Sequence, residues 1–289
     1  MYNLSDISTV RRLLEEGGFH FSKSLGQNFL IDASVCPKMA DEAVSDGETG
    51  VVEIGAGVGV LTSELAKRAG KVVSVELDTR LLPILSKTLG EYDNVEIVND
   101  DILKVDLHTL LKEKFGDRKV SVCANLPYYI TSPVIMKLLE SNLPIEKIVV
   151  MVQKEAADRI CASVGDRESG ALTVAVNYYS RAEKLFFVSK NCFIPSPKVD
   201  SEVISLHLLK TPPINPKDFD IFKSTVKAAF AQRRKTAVNS LSAGLGIEKS
   251  VIARLLKENG FDENIRAERF TVRDFEKISD SVYDYKNKG

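Results

Sequence analysis

The stretch VCANLPYYITSP, residues 122–133, runs as an apolar strand pattern into Asn125, Leu126, Pro127, Tyr128 and Tyr129. The side-chain oxygen of Asn125 and the carbonyl of Leu126 are two hydrogen-bond acceptors on neighbouring residues. Pro127 holds Leu126 extended, which keeps that carbonyl aimed outward. Tyr128 adds a flat face on which a planar group can stack. Two acceptors beside a flat face suit a planar partner that presents two hydrogens. Tyr129 is expected to pack rather than to take part.

Upstream, VVEIGAGVGVLTSELAKRAG reads as a strand, a glycine-rich turn and a helix, with Gly55, Gly57 and Gly59 spaced G-x-G-x-G. Glycines let the backbone turn tightly and let a ligand approach a helix N-terminus, where unpaired N–H groups favour an anionic group. The dinucleotide fingerprint needs glycine at position 60, where Val60 stands, so a nicotinamide cofactor is disfavoured. Glu76 ends the second strand, 21 positions after Gly55, where a carboxylate can accept from both ribose hydroxyls. Asp101 follows the third strand and can accept from an adenine amino group. Either acid alone could as well cap a turn or a helix. Together with the glycine turn they resemble the S-adenosylmethionine (SAM) site of class I methyltransferases.

In that architecture the end of the fourth strand faces the methyl donor, and Asn125-Leu126-Pro127-Tyr128 stands there. The tetrapeptide resembles the [N/D/S]-[P/I/L]-P-[Y/F/W] motif of methyltransferases that act on exocyclic amines of nucleobases. An adenine N6 lone pair is delocalised into the ring, so the amine attacks poorly until acceptors draw off its two hydrogens. Asn125 and Leu126 supply those acceptors, and Tyr128 stacks on the base. The sulfonium is a good leaving group, so the scarcity of histidine does not count against an enzyme.

The elements needed to hold these groups are legible. Strand patterns fall at 50–55, 71–76, 94–98, 120–124, 147–152, 184–189 and 201–209, most of them separated by helical periodicity. Near-continuous Val and Ile runs predict a mostly parallel sheet covered on both faces, that is, a doubly wound Rossmann-like α/β domain. The last two strands have too little chain between them for a helical crossover and are expected to pair antiparallel. After LKTPPINP only helical periodicity remains. The expected boundary lies near residue 211, giving a SAM-binding catalytic domain over 1–210 with an N-terminal extension and a helical domain over 211–289. No apolar run is long enough to span a bilayer, and the N-terminus carries charges where a signal peptide would be apolar, so the expected location is the cytoplasm. Cys36, Cys123, Cys161 and Cys192 show no C-x-x-C spacing and the three histidines are dispersed, so neither a disulfide framework nor a metal site is expected. Residues 190–289 carry 18 Lys and Arg against 13 Asp and Glu, whereas residues 1–189 carry 21 against 27. The C-terminal third is the basic part.

Seven separated stretches, KSLGQNFL, EIGAGVGVLT, VELD, NLPYYITSP, VQKEAADRI, FIPSPKVDS and AFAQRRKT, resemble in the same order the bacterial 16S ribosomal RNA adenine N6,N6-dimethyltransferases. The resemblance implies SAM contacts from Asn28, Leu30, Gly55, Glu76, Asp101 and Asn125, with Gly57 in the same turn. It also implies two methyl transfers to each of two adjacent adenosines in a hairpin loop of the small ribosomal subunit, within ribosome biogenesis. No obligate protein partner is apparent. A loop adenosine is already partly unstacked, which lowers the cost of flipping it out. Phe193 is expected to form the second wall opposite Tyr128; the competing expectation is a core phenylalanine at a strand entry. For phosphate contacts, FKSTVKAAFAQRRKT read as one helix brings Lys223, Lys227 and Arg234 onto one edge beside an apolar stripe. Arg233 points toward the apolar side, Lys235 follows, and Lys23 with Arg11 and Arg12 is a weaker set. Two other readings stay open. One is the related 23S ribosomal RNA methyltransferase of macrolide resistance; the other is a ribosome-assembly binding factor whose catalysis is dispensable.

Overall fold

The computed structural model describes residues 2–19, 27–232 and 234–287. In chain order the elements begin with α1 (Ile7–Glu16), β1 (Phe29–Leu30), α2 (Val35–Ala43), β2 (Gly50–Ile54), α3 (Val60–Ala66), β3 (Lys71–Glu76) and α4 (Leu82–Leu89). They continue with β4 (Val95–Asn99), α5 (Leu107–Phe115), β5 (Val120–Asn125), α6 (Thr131–Glu140), β6 (Ile145–Gln153), α7 (Lys154–Ile160) and α8 (Ala171–Tyr179). The remainder is β7 (Ser180–Val188), β8 (Phe193–Ile194), β9 (Ser201–Leu208), α9 (Phe219–Phe230), α10 (Ala237–Leu245), α11 (Lys249–Glu258) and α12 (Val272–Asn287).

Seven strands form one sheet in the order β4-β3-β2-β5-β6-β9-β7. The ladder is parallel from β4 through β6, and β9 runs antiparallel to β6. This is the doubly wound, mostly parallel sheet that the valine and isoleucine runs predict. Every residue of β2 is buried, as a strand covered on both faces requires. Strand order reverses between β2 and β5, and in such sheets ligands lie in the crevice beyond the carboxyl ends at that reversal. Two short strands were not expected from the sequence: β1 and β8 pair antiparallel, with Phe29 opposite Ile194 and Leu30 opposite Phe193. A two-residue ladder carries no periodicity to read.

The chain divides into two compact units, Met1–Ala157 with Ala182–Leu208, and Asp158–Arg181 with Leu209–Gly289. The expected split into 1–210 and 211–289 therefore differs over residues 158–181, which belong with the C-terminal helices. Val174 and Tyr178 of α8 are buried in one apolar cluster with Phe222, Val226, Leu241, Leu256, Phe270 and Phe275. The Tyr178 ring lies 5.1 Å from that of Phe219. The sequence shows that α8 has an apolar face but not which helices cover it. No described helix is long and apolar enough to cross a membrane, and no group of three or more metal-ligating side chains occurs among the described residues.

Candidate active site

A cavity of about 230 Å³ opens at the carboxyl ends of β2, β3 and β5. It is lined by Asn28, Leu30, Gly55, Gly57, Glu76, Asp101, Asn125, Leu126, Pro127, Tyr128 and Phe193. Every residue assigned from the sequence to the cofactor or to the amine thus meets in one cleft.

The glycine turn after β2 requires its glycines. Gly57 has φ +60° and Gly59 φ +93°, a backbone region that side chains disfavour, and a Cβ on Gly59 would come within 3.0 Å of Leu89. Beside the turn, Glu76 ends β3 almost fully buried, at 6% exposure. Its Oε2 accepts from the Gly57 N–H at 3.0 Å and its Oε1 from the Asp78 N–H at 2.8 Å. Burial pushes the Glu76 carboxyl above its ordinary range, and the Asp78 carboxylate adds to this while the two backbone N–H groups pull it down. Asp101 caps its own turn, with Oδ1 accepting from the Leu103 N–H at 3.0 Å. Its Oδ2 stands 3.8 Å from Lys104 Nζ.

Two residues with no single-residue signal in the sequence complete this edge. Asp78 accepts from Gln27 Nε2 at 2.8 Å and is gripped by Arg80 through Nε and Nη2 at 2.8 and 2.6 Å. The Arg80 hydrogen bonds hold the Asp78 carboxyl below its usual range. The Arg80 guanidinium lies 4.8 Å from the Phe19 ring, so one buried aspartate ties the N-terminal segment to the glycine-turn side of the cleft. Glu53 is also fully buried, in β2 below the turn, with Thr62 Oγ1 donating to its Oε2 at 2.6 Å and its Oε1 without a hydrogen-bond partner among the described residues. Burial pushes its carboxyl up to about 7. The carboxylate in VVEIG gave no sign that it faces inward.

At the end of β5 the backbone is pinned on both sides of the motif. The Leu126 N–H donates to the Met151 carbonyl at 3.2 Å, and the Pro127 carbonyl accepts from the Ile130 N–H at 3.1 Å. Between these bonds, neither the Leu126 carbonyl nor the Asn125 carboxamide has a hydrogen-bond partner among the described residues. Both line the cleft. Tyr128 is half-buried, and its Oη lies 2.9 Å from the Ser201 Oγ at the start of β9. Tyr129 departs from the expectation that it packs: it is 54% exposed while lining the same cleft, because the short 3₁₀ turn Tyr128–Ile130 swings it outward. Phe193 is a core phenylalanine that also reaches the cleft. At 4% exposure it belongs to the main apolar core, held there by pairing with Leu30.

Lys223, Lys227, Arg234 and Lys235 belong to the second unit. Lys223 stands 3.1 Å from Asp220 and over the Phe219 ring at 5.1 Å. Lys227 is exposed and unpaired among the described residues. The reading of one continuous helical edge is corrected here, because α9 ends at Phe230 and Arg234 and Lys235 lie exposed in the following turn. Lys23 and Arg233 lie outside the described residues. Arg11 and Arg12 are exposed on α1.

The family model for ribosomal RNA adenine dimethylase matches residues 18–283. The chain belongs to that family. Among its relatives, a ribosomal RNA small subunit methyltransferase A of Alkaliphilus oremlandii is 46% identical over 284 residues, covering 98% of this chain and 99% of the relative. The protein of the same name from Bacillus licheniformis is 48% identical, covering 96% and 97%. Among solved structures, a dimethyladenosine transferase from Plasmodium falciparum superposes with TM-score 0.68 at 26% identity, covering 88% of this chain and 96% of that one. The 23S rRNA methyltransferase ErmE superposes with TM-score 0.66 at 25% identity, covering 88% and 99%. The adenine dimethylase family thus spans the whole cleft of the first unit, from Asn28 to Phe193.

Proposed function

We propose that the protein is a SAM-dependent dimethyltransferase that converts two adjacent adenosines in a hairpin loop of 16S ribosomal RNA to N6,N6-dimethyladenosine, acting on the small ribosomal subunit in the cytoplasm. The observation that carries this reading is the pair of unpartnered acceptors, the Asn125 side-chain oxygen and the Leu126 carbonyl, in the cleft that also holds Gly57 and Glu76. An adenine amine presents two hydrogens, and these acceptors match them.

The residues present fit SAM. Glu76 offers the ribose its remaining lone pairs, since each oxygen accepts one backbone N–H and has room for a second donor. Asp101 keeps Oδ2 for an adenine amino group, and Leu77 and Leu103 give the mouth of the cleft exposed apolar surface. Asn28, Leu30 and Gly55 complete the lining. When bound, SAM would supply an electrophilic methyl group on a sulfonium, whose sulfur departs as a neutral thioether without acid assistance. Asn125 and Leu126 then orient the amine and favour the tetrahedral nitrogen. Tyr128 supports the base by stacking. No residue needs to act as a strong base, because the ammonium formed is acidic enough to release its proton to water. The second methylation uses the same site, since removing one amine hydrogen leaves one acceptor still engaged.

The curated relatives favour the small-subunit substrate, at 45–48% identity over nearly the whole chain. The fold alone does not separate the readings, because a 23S enzyme superposes about as well as a dimethyladenosine transferase. The deciding experiment offers purified protein and labelled SAM to naked small-subunit RNA, partly assembled small subunits and large-subunit RNA, and maps methylated nucleotides by mass. Dimethyladenosine confined to two adjacent positions of the small-subunit RNA is expected. Efficient methylation of large-subunit RNA overturns the reading in favour of the resistance-type enzyme.

A further inference from the structure

Asp200 and Ser201 stand where β9 begins and reach toward Tyr128 and the segment leading into Phe193, two of the aromatic residues of the cleft. Ser201 is fully buried and its backbone pairs with Gln153 at the end of β6. Its Oγ meets the Tyr128 Oη at 2.9 Å, across 73 positions of sequence. One residue earlier, the Asp200 carbonyl accepts from the Lys154 N–H at 3.0 Å. The Asp200 carboxylate accepts from the Lys190 N–H, also at 3.0 Å. Lys190 opens the short turn Lys190–Cys192 that leads directly into Phe193, and the Ser196 Oγ closes the same loop on the Lys190 carbonyl at 2.9 Å. A dipeptide anchored to the central sheet thus holds one cleft residue through a hydroxyl and the approach to the other through a carboxylate.

We propose that Asp200 and Ser201 are positioning residues that fix the Tyr128 ring and the Phe193 loop in the arrangement that receives the flipped base. The proposal rests on the adenine reading above. A tyrosine ring turns about two single bonds, and the cleft side of Tyr128 is open, so its orientation is set by what holds the hydroxyl. Among the described residues that is Ser201 alone. A serine hydroxyl in a buried strand position is costly to desolvate unless it is bonded, and Ser201 is fully buried. Burial raises the Tyr128 phenol, so it stays neutral and able to share a proton with Ser201. Neither Asp200 nor Ser201 lines the cleft, so their effect falls on turnover through Tyr128 and Phe193 and not on direct contact with SAM.

The test is a double-mutant cycle on methyl transfer to small subunits, with Ser201→Ala, Tyr128→Phe and the pair, alongside Asp200→Ala and Asp200→Asn. Loss of one hydrogen bond should lower kcat about 2- to 10-fold in each single variant. KM for SAM should be unchanged, and the double variant should be no slower than the slower single. Asp200→Asn retains the acceptor for Lys190 N–H and should restore the rate lost in Asp200→Ala. A crystal structure of Ser201→Ala should show the Tyr128 ring turned from its wild-type position, a readout that needs no RNA. Wild-type kcat in Ser201→Ala, multiplicative losses in the cycle, or an unmoved ring would each overturn the positioning role. If the wild-type protein produces no dimethyladenosine, the adenine reading fails on its own, and the ring position still decides whether Ser201 holds Tyr128.

Discussion

The Gly57 N–H and the Glu76 Oε2, 19 positions apart in sequence, are joined at 3.0 Å, so the glycine turn after β2 and the acid ending β3 form one hydrogen-bonded unit. Glu76→Ala therefore releases the turn and, on the proposed SAM reading, also removes an acceptor for the ribose. Hydrogen bonds to a charged group are worth about 1.5–3 kcal/mol each. SAM affinity measured by calorimetry should fall by roughly 10- to 100-fold or more while circular dichroism shows a folded chain. Unchanged affinity would remove Glu76 from the cofactor site.

Asn125→Ala should abolish most methyl transfer, because on the proposed mechanism one of the two acceptors that align the amine disappears. By analogy with deleting a single oxyanion-hole donor, the loss is about 2.7–4 kcal/mol, on the order of 10²- to 10³-fold in kcat. RNA binding measured by filter retention should barely change. A variant that turns over at the wild-type rate rules out the assigned role.

Glu53 makes stability depend on pH. Its carboxyl is raised from 4.5 to about 7 by burial, so the native state binds a proton that the unfolded chain has released between those values. The resulting stability is fully present below pH 4.5, declines as pH rises toward 7, and levels off above it; the shift corresponds to about 3 kcal/mol. Glu53→Gln keeps an acceptor for Thr62 without the charge. Its melting temperature should exceed that of the parent above pH 7, and the difference should shrink toward pH 5. Parallel melting curves across that range would show that Glu53 does not titrate as described.

Lys223 and Lys227 sit one helical turn apart on α9 but in different states. Lys223 is engaged by Asp220 and Phe219, whereas Lys227 is free among the described residues. If α9 meets RNA phosphates, Lys227→Ala should flatten the slope of log K against log salt by roughly 0.7–0.9, and Lys223→Ala by less. Fluorescence titration of small subunits at several salt concentrations separates the two. SAM binding should be indifferent to both.

The cleft was legible in the sequence because its parts are local. G-x-G-x-G dictates a turn wherever it follows a strand, an acid at a strand end lies at the ligand edge of a parallel sheet, and proline after Leu126 turns a carbonyl outward without help from distant residues. Strand periodicity gave the order of elements, and the parallel sheet then brings their carboxyl ends together. That combination is why Gly55, Glu76, Asp101 and Asn125 could be grouped from the sequence alone, whereas Asn28 joined them only through the family resemblance and Phe193 through its proline-flanked stretch.

What remained hidden depends on partners far away in the chain. The sequence shows that residues 158–181 contain a helical apolar face, but only packing assigns it to Phe222 and Phe275. The apolar stripe of α9 continues on paper past Phe230, whereas in space the helix stops and Arg234 leaves its face. Tyr129 reads like its neighbour Tyr128, and only the local turn exposes one and holds the other. Asp78 with Gln27, Glu53 with Thr62, and Ser201 with Tyr128 are ordinary polar residues in sequence. Their roles arise because each is held against specific partners elsewhere in the chain, and burial is a property of the assembled fold: a residue's own identity fixes what it can bond, and the tertiary structure alone decides what stands within reach.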